Sequence, residues 1–214
     1  MLDFSNSKIL IVGDVMLDKY YFGKVDRISP EAPVPIVNIQ KEESRLGGAS
    51  NVANNIVSLG GHSLLCGVIG HDLFGKEIER ISRHKNIDTF LLKTSSPTIT
   101  KARIIGGKQQ IVRVDYEDKS ELNADNKKLF RDTISRILPE YDILVISDYG
   151  KGLISEDLCR YLIKLAHKYD KKVIIDPKGK NWEKYSGADI VTPNVKELSD
   201  IVGYTVPNTD RAIE

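Results

Sequence analysis

A chain of 214 residues can bury one substantial core with room for a small appendage. Its charge is almost balanced, 31 Lys and Arg against 30 Asp and Glu, so no broad field draws it to nucleic acid or a membrane surface. No run approaches the roughly 18 apolar residues of a membrane span, and the first residues lack the pattern of a secretion signal. The two cysteines, Cys66 and Cys159, lie in apolar segments, where buried thiols are expected rather than a disulfide or a metal site. The expectation is a soluble, cytoplasmic protein.

Residues 8–12 form a continuous apolar run ending in Gly13-Asp14, the pattern of a strand buried on both faces of a parallel sheet. Asp14 and Asp18 flank its C-terminal end, where open α/β sheets bind ligands. A carboxylate there can accept hydrogen bonds from sugar hydroxyls. That role is assigned to Asp14, while Asp18 is left open between ligand and turn. Residues 19–44 change character. Short strands are expected near 20–23 and 34–39, and the prolines of Ser29-Pro30-Glu31-Ala32-Pro33 exclude a helix or a central strand between them. In Arg45-Leu46-Gly47-Gly48-Ala49-Ser50-Asn51, adjacent glycines let the backbone approach a ligand. The helix that follows, with Val52, Ile56 and Leu59 on one face, aims its N-terminal end at that ligand. Asn51, in its first turn, can donate to or accept from hydroxyls.

Residues 64–70 read as a second buried strand, 72–75 as the lead into a helix with Phe74, Ile78 and Ile81 on one face, and 88–92 as a third strand. Two alternating runs in 98–116 meet at Gly106-Gly107, a hairpin signal. With 19–44 this hairpin makes a small sheet that covers the site from one side. Lys101, Arg103 and Arg113 on it either reach an anionic ligand or form a solvated face. The α/β rhythm then resumes, with a helix over 125–138, strands near 142–146, 172–175 and 190–191, and a helix through Ile154, Leu158, Leu162 and Leu165. Asp148-Tyr149-Gly150-Lys151-Gly152, Asp176-Pro177-Lys178-Gly179 and Asn194-Val195-Lys196-Glu197 each follow a strand, on one edge of the expected sheet.

Gly13-Asp14, Gly47-Gly48 with Asn51, Gly70 with Asp72 and Gly75, and Asn194 with Glu197 together resemble the ribokinase-like (PfkB) family of sugar kinases. The stretches 13–18, 27–35, 148–152 and 176–179 are similar to the members that phosphorylate D-glycero-β-D-manno-heptose 7-phosphate at its anomeric hydroxyl, in ADP-heptose and lipopolysaccharide core synthesis. The resemblance implies an α/β, ribokinase-like, mostly parallel Rossmann-type sheet flanked by helices, with a small β lid. The core takes 1–18, 45–97 and 118–214, and the lid takes 19–44 and 98–117. It implies ATP and Mg²⁺ as cofactors, a sugar phosphate as substrate, and a homodimer formed through the lid. Asp14, Gly47, Gly48 and Asn51 would hold sugar hydroxyls, with Lys101, Arg103, Arg113, Asp148 and Lys178 completing the substrate site. Asn194, Val195, Lys196 and Glu197 would face the ATP phosphates, with Glu197 reaching the metal through water, and Lys151 is a weaker candidate for phosphate charge. The family's base aspartate sits in a Gly-Ala-Gly-Asp turn, which this sequence lacks; Gly187-Ala188-Asp189 precedes a strand instead. The base is therefore expected beyond Glu214, past a helix opening at Asn208 or Thr209, and 1–214 alone is expected to be inactive. A non-catalytic sugar-phosphate-binding or oligomerisation role, and another sugar as substrate, are the alternatives.

Overall fold

The computed structural model describes residues 3–206; the helix start expected at Asn208 or Thr209 lies outside them. In chain order the strands are β1 (Lys8–Gly13), β2 (Val15–Ile28), β3 (Pro35–Gly48), β4 (His62–Gly70), β5 (Asp88–Thr94), β6 (Thr100–Gly106), β7 (Gln109–Tyr116), β8 (Ile143–Ser147), β9 (Lys172–Asp176) and β10 (Ile190–Val191). The helices are α1 (Ala49–Ser58), α2 (Leu73–His84), α3 (Ala124–Ile137), α4 (Glu156–Lys168) and α5 (Val195–Val202).

Six strands form a parallel sheet in the order β10-β9-β8-β1-β4-β5. Alternate side chains of its central strands enter two separate cores. Leu10, Val12, Leu64, Cys66, Leu144 and Ile146 meet Phe130 and Ile134 of α3 and Leu158 and Leu162 of α4. Ile11, Leu65 and Ile69 meet Ala49 and Ala53 of α1 and Ile78 and Ile81 of α2. A strand covered on both faces must be apolar throughout, which is why β1, β4 and β8 are legible as unbroken runs. Both cysteines are buried free thiols, and burial pushes the Cys159 thiol up to about 12. Among the described residues no helix is long and apolar enough to cross a membrane.

Side chains set the helix starts. Asp72 accepts from the Gly75 N–H at 2.8 Å, Asn123 caps α3 and Ser155 caps α4. The Asp72 carboxylate also takes the Thr98 N–H at 2.7 Å, tying the strand that follows to the α2 N-terminus. In Gly70, Asp72 and Gly75 the resembling motif is thus packing: a Cβ on Gly75 would lie 2.6 Å from the Gly70 carbonyl oxygen.

The second sheet is β3-β2-β6-β7, with β2 and β6 parallel and the outer pairs antiparallel. Its β2 and β3 are fourteen residues each, longer than the short strands expected from 20–23 and 34–39. Val15 and Leu17 at the root of β2 sit in the core, and the two strands stay paired from Val15↔Gly48 to Ile28↔Pro35. The charged stretch 41–45 hid the strand because its side chains are solvated while its backbone still pairs with 18–22.

Candidate functional site

From β1 the strand order runs one way through β4 and β5 and the other way through β8, β9 and β10. Loops that leave a parallel sheet at such a reversal diverge and open a crevice past the strand ends. The second sheet rises from this place, since β2 starts two residues after β1 ends.

An open groove of about 690 Å³ lies here, lined by Asp18, Gly47, Gly48, Asn51, Lys101 and Arg103, with Glu43, Arg45 and Tyr149. Sheet register explains why these side chains meet. Asp18 of β2 lies between Arg45 of β3 and Lys101 of β6, and Tyr20 lies between Glu43 and Arg103. Cross-strand neighbours share a face. The Arg103 guanidinium donates to Asp18 Oδ1 at 2.6 Å, and Arg103 and Arg45 lie 5.2 and 4.9 Å from the Tyr20 ring centroid. Arg45 also pairs with Glu43 at 2.7 Å. Gly47 is needed for close approach, because a Cβ there would stand 2.6 Å from Asp18 Oδ2. Gly48 holds φ +54° as the residue before α1. Lys101 differs from its neighbours. Among the described residues it has no carboxylate within ion-pair distance, burial lowers its pKa, and its ammonium faces the Tyr149 ring at 5.9 Å. Arg113 shares the sheet face, opposite Arg103, but is outside the groove lining and is held by both oxygens of Asp115 at 2.8 Å.

Of the two aspartates, the one left open between ligand and turn is the one that reaches the groove. Asp18 lines the groove, whereas Asp14 is 2% exposed and was expected to be a reachable carboxylate. Asp14 Oδ2 accepts the backbone N–H groups of Tyr149 at 2.8 Å and Lys151 at 3.1 Å, and its Oδ1 has no partner. Burial raises its pKa against the pull of those two donors. The physical reason is its place between β1 and β2, where the chain passes from one sheet to the other and the 148–152 loop closes over it. Asp14 and Lys151 instead line a second, smaller cavity of about 210 Å³, with Thr94, Ser96, Asp118 and Asn126. Lys151 is ion-paired to Glu117.

Asp148, expected at the substrate, is also an internal hub, 2% exposed. Its Oδ1 accepts the Gly150 N–H at 2.7 Å, and its Oδ2 takes both the partly buried Lys184 ammonium and the Tyr185 hydroxyl, the latter at 2.8 Å. Tyr185 in turn accepts the Lys178 N–H at 2.9 Å, so one network fixes both the 148–152 and the 176–179 loops.

Asn194 and Glu197 form a capping box at the start of α5. Asn194 Oδ1 accepts the Glu197 N–H at 2.9 Å, and Glu197 Oε2 accepts the Asn194 N–H at 3.0 Å. Glu197 Oε1 pairs with Lys178 at 2.8 Å. Burial works to raise the Glu197 pKa, but the Lys178 and Asn194 donors outweigh it and leave it lowered. The half-buried Asp176 nearby is raised by burial and by the Glu197 charge. Val195 and Lys196 are exposed in the first turn of α5. Gly187-Ala188-Asp189 is remote from all of this. Asp189 takes the Val173 N–H at 2.9 Å and the Lys172 ammonium at 2.7 Å, at the opposite edge of the sheet where β9 begins.

Sequence reading did not assign roles to Tyr149, Arg45, Asp176 or Lys184. The first three were discoverable in part, lying beside the glycines or closing a strand; nothing in the local sequence marks Lys184.

A family model for the pfkB family carbohydrate kinases matches residues 6–214. The chain belongs to that family. This PfkB chain is 48% identical over 193 residues to the bifunctional protein HldE of Helicobacter pylori strain P12, covering 89% of this chain and 42% of that protein. It is 44% identical over 200 residues to the D-beta-D-heptose 7-phosphate kinase of Bordetella bronchiseptica, covering 93% of this chain and 63% of that one. The PfkB chain thus spans less than two thirds of the length of these relatives. The tetrameric inhibited form of phosphofructokinase-2 from Escherichia coli superposes with a TM-score of 0.73 at 20% identity, over 97% of this chain and 67% of that one. A carbohydrate kinase from Agrobacterium tumefaciens gives 0.70 at 18% identity, over 92% and 64%. These likenesses establish a ribokinase-like fold.

Proposed function

We propose that this chain belongs to an ATP-dependent sugar-phosphate kinase that transfers a phosphoryl group to O1 of D-glycero-β-D-manno-heptose 7-phosphate, giving the 1,7-bisphosphate for ADP-heptose and lipopolysaccharide core synthesis. The observation that carries it is Lys101, a half-buried cation with no ion-pair partner among the described residues, in a groove that also presents Asp18, Asn51 and the Gly47-Gly48 backbone. Asp18, Asn51 and the backbone at Gly47 and Gly48 suit sugar hydroxyls, and Lys101 suits the far phosphate as a point charge. Arg103 is committed to Asp18, Arg113 to Asp115 and Lys178 to Glu197, so they are second choices for that phosphate. The heptose kinase among the relatives supports the substrate.

In the reaction the acceptor oxygen bonds to the γ-phosphorus, the bond to the ADP oxygen breaks, and the acceptor proton passes to a base that the family resemblance puts beyond Glu214. Positioning and charge stabilisation do most of this chemistry. Oxygen donors at Glu197 and Asp176 fit a hard cation that keeps its waters, and Mg²⁺ held there would neutralise nucleotide phosphate charge. The start of α5 would face the ATP phosphates. A homodimer through the second sheet accords with the exposed Val25, Ile28, Val34, Val112 and Val114 on its strands and turn; sedimentation of the full-length protein tests it.

The deciding experiment gives the full-length protein ATP, Mg²⁺ and a panel of sugars with and without a terminal phosphate. Heptose 7-phosphate should be preferred to heptose, by a margin that salt narrows and Lys101→Met abolishes. Equal KM values for the two sugars would remove the proposal.

A further inference from the structure

We infer that Tyr149 is the substrate-positioning residue of this site, its ring forming the wall that separates the sugar groove from the nucleotide-phosphate cluster. The inference rests on the kinase reading above.

Tyr149 is the one groove-lining residue contributed by the β8–α4 loop. One side of it meets the Lys101 ammonium of the second sheet, 5.9 Å from the ring centroid. Its hydroxyl is raised in pKa by burial and by the charges of Asp176, Glu197 and Asp18. Those three carboxylates belong to β9, α5 and β2, so Tyr149 stands where the sugar side and the phosphate side meet.

The construction of the loop supports the same assignment. Burying a carboxylate is costly unless hydrogen bonds compensate it, yet two are buried here, and both hold this loop. Asp14 grips the N–H groups on Tyr149 and Lys151, and Asp148 grips that of Gly150 while braced by Lys184 and Tyr185. The Asp148 N–H donates to the Asp176 carbonyl at 3.0 Å. Gly150 and Gly152 hold φ of +65° and +105°, and Gly152 is closed against the Lys119 carbonyl, 2.7 Å from where a Cβ would be. A loop pinned at each of these points fixes the direction of the side chain it carries, and Tyr149 is the side chain it delivers into the groove. Reacting groups held within a fraction of an ångström need such over-determined support. A flat aromatic face against a sugar ring restrains tilt without consuming hydroxyl hydrogen bonds.

The test uses the full-length protein with heptose 7-phosphate and ATP, comparing wild type, Tyr149→Ala and Tyr149→Phe. Tyr149→Ala should raise the KM for the sugar phosphate about tenfold, leave the KM for ATP within about twofold, and melt with the wild type; Tyr149→Phe should restore the sugar KM. If Tyr149→Ala does not fold, Tyr149→Leu keeps bulk without the aromatic face and should show the same sugar-selective loss. An unchanged sugar KM in the Ala or Leu variant overturns the inference. So does a parallel rise in both KM values, which would mark a structural role. Should the wild type phosphorylate a different sugar phosphate, the substrate proposal fails, and the same comparison on that sugar still decides the role of Tyr149.

Discussion

Replacing Asp14 with Ala should cost stability before it costs binding. The variant leaves the partly buried N–H groups of Tyr149 and Lys151 without the acceptor that now sits 2.8 and 3.1 Å away. An orphaned buried donor costs about 1–3 kcal/mol, so two partly buried ones cost at most about 2–6 kcal/mol. Removing the carboxylate also relieves the cost of burying it, so the net loss should fall towards the lower end, about 2–3 kcal/mol. For a chain of this size that is a fall in Tm of about 5–10 °C, measurable by calorimetry or circular dichroism. Asp14→Asn retains an acceptor oxygen and should lose much less. Acid linkage gives an independent reading. A carboxyl raised in the fold contributes stability that is present below its ordinary value of 3.8 and is lost as pH climbs through the raised value. The wild type should therefore lose stability relative to Asp14→Asn as pH rises through that window. An Asp14→Ala protein that melts with the wild type but no longer binds sugar phosphate would refute the reasoning and restore Asp14 as a ligand.

Asp18→Ala should behave in the opposite way, with little change in Tm and a roughly ten- to hundredfold loss of sugar-phosphate affinity by calorimetry, from charge-assisted bonds of about 1.5–3 kcal/mol; unchanged affinity would exclude Asp18 from the site. Asp189, held down to about 2 by Lys172 and the Val173 N–H, contributes stability that is present above 3.8 and lost as pH falls towards 2. Asp189→Asn should flatten that part of a pH-dependent melting curve, and an unaltered acid limb would count against the pairing. Gly152→Ala should destabilise by about 1–3 kcal/mol or more through its left-handed φ and the Lys119 carbonyl. Gly60→Ala, at φ +91° with nothing within 4 Å of its Cβ, should pay only the backbone cost of about 1–2 kcal/mol, so equal chemical denaturation midpoints for the two would disprove the close contact.

Much of the architecture was readable because buried parallel strands cannot hide. Residues 8–12 and 64–70 are unbroken apolar runs, and the second is followed by a helix whose apolar spacing is equally plain. The long β2 and β3 were not readable to their full length. Past residue 40 the pairing backbone carries Lys, Glu and Arg into solvent, and local sequence cannot distinguish that from a linker. The site was legible as a set of loops and not as a set of side-chain directions. Asp14 and Asp18 are four residues apart, and only the passage of the chain from the first sheet to the second decides which is covered. Asp148 looked like a ligand because the partners that bury it, Lys184 and Tyr185, lie some thirty-six residues away.

The parallel pairing of β2 with β6 has a consequence for the order of folding. Leu17 pairs with Thr100, which closes a loop of roughly 80 residues, whereas β2–β3 and β6–β7 each close through a short connection. Loop entropy grows as about (3/2)RT ln n, so the long closure costs about 4 kcal/mol against roughly 1–2 for a hairpin turn. The two hairpins can therefore form locally, but their union must wait until α1, β4, α2 and β5 have brought residue 100 back beside residue 17. The groove needs that docking, because Asp18 lies on one hairpin and Lys101 on the other. Under the proposed function, a molecule whose two hairpins had formed but not yet paired would lack the groove that receives the substrate.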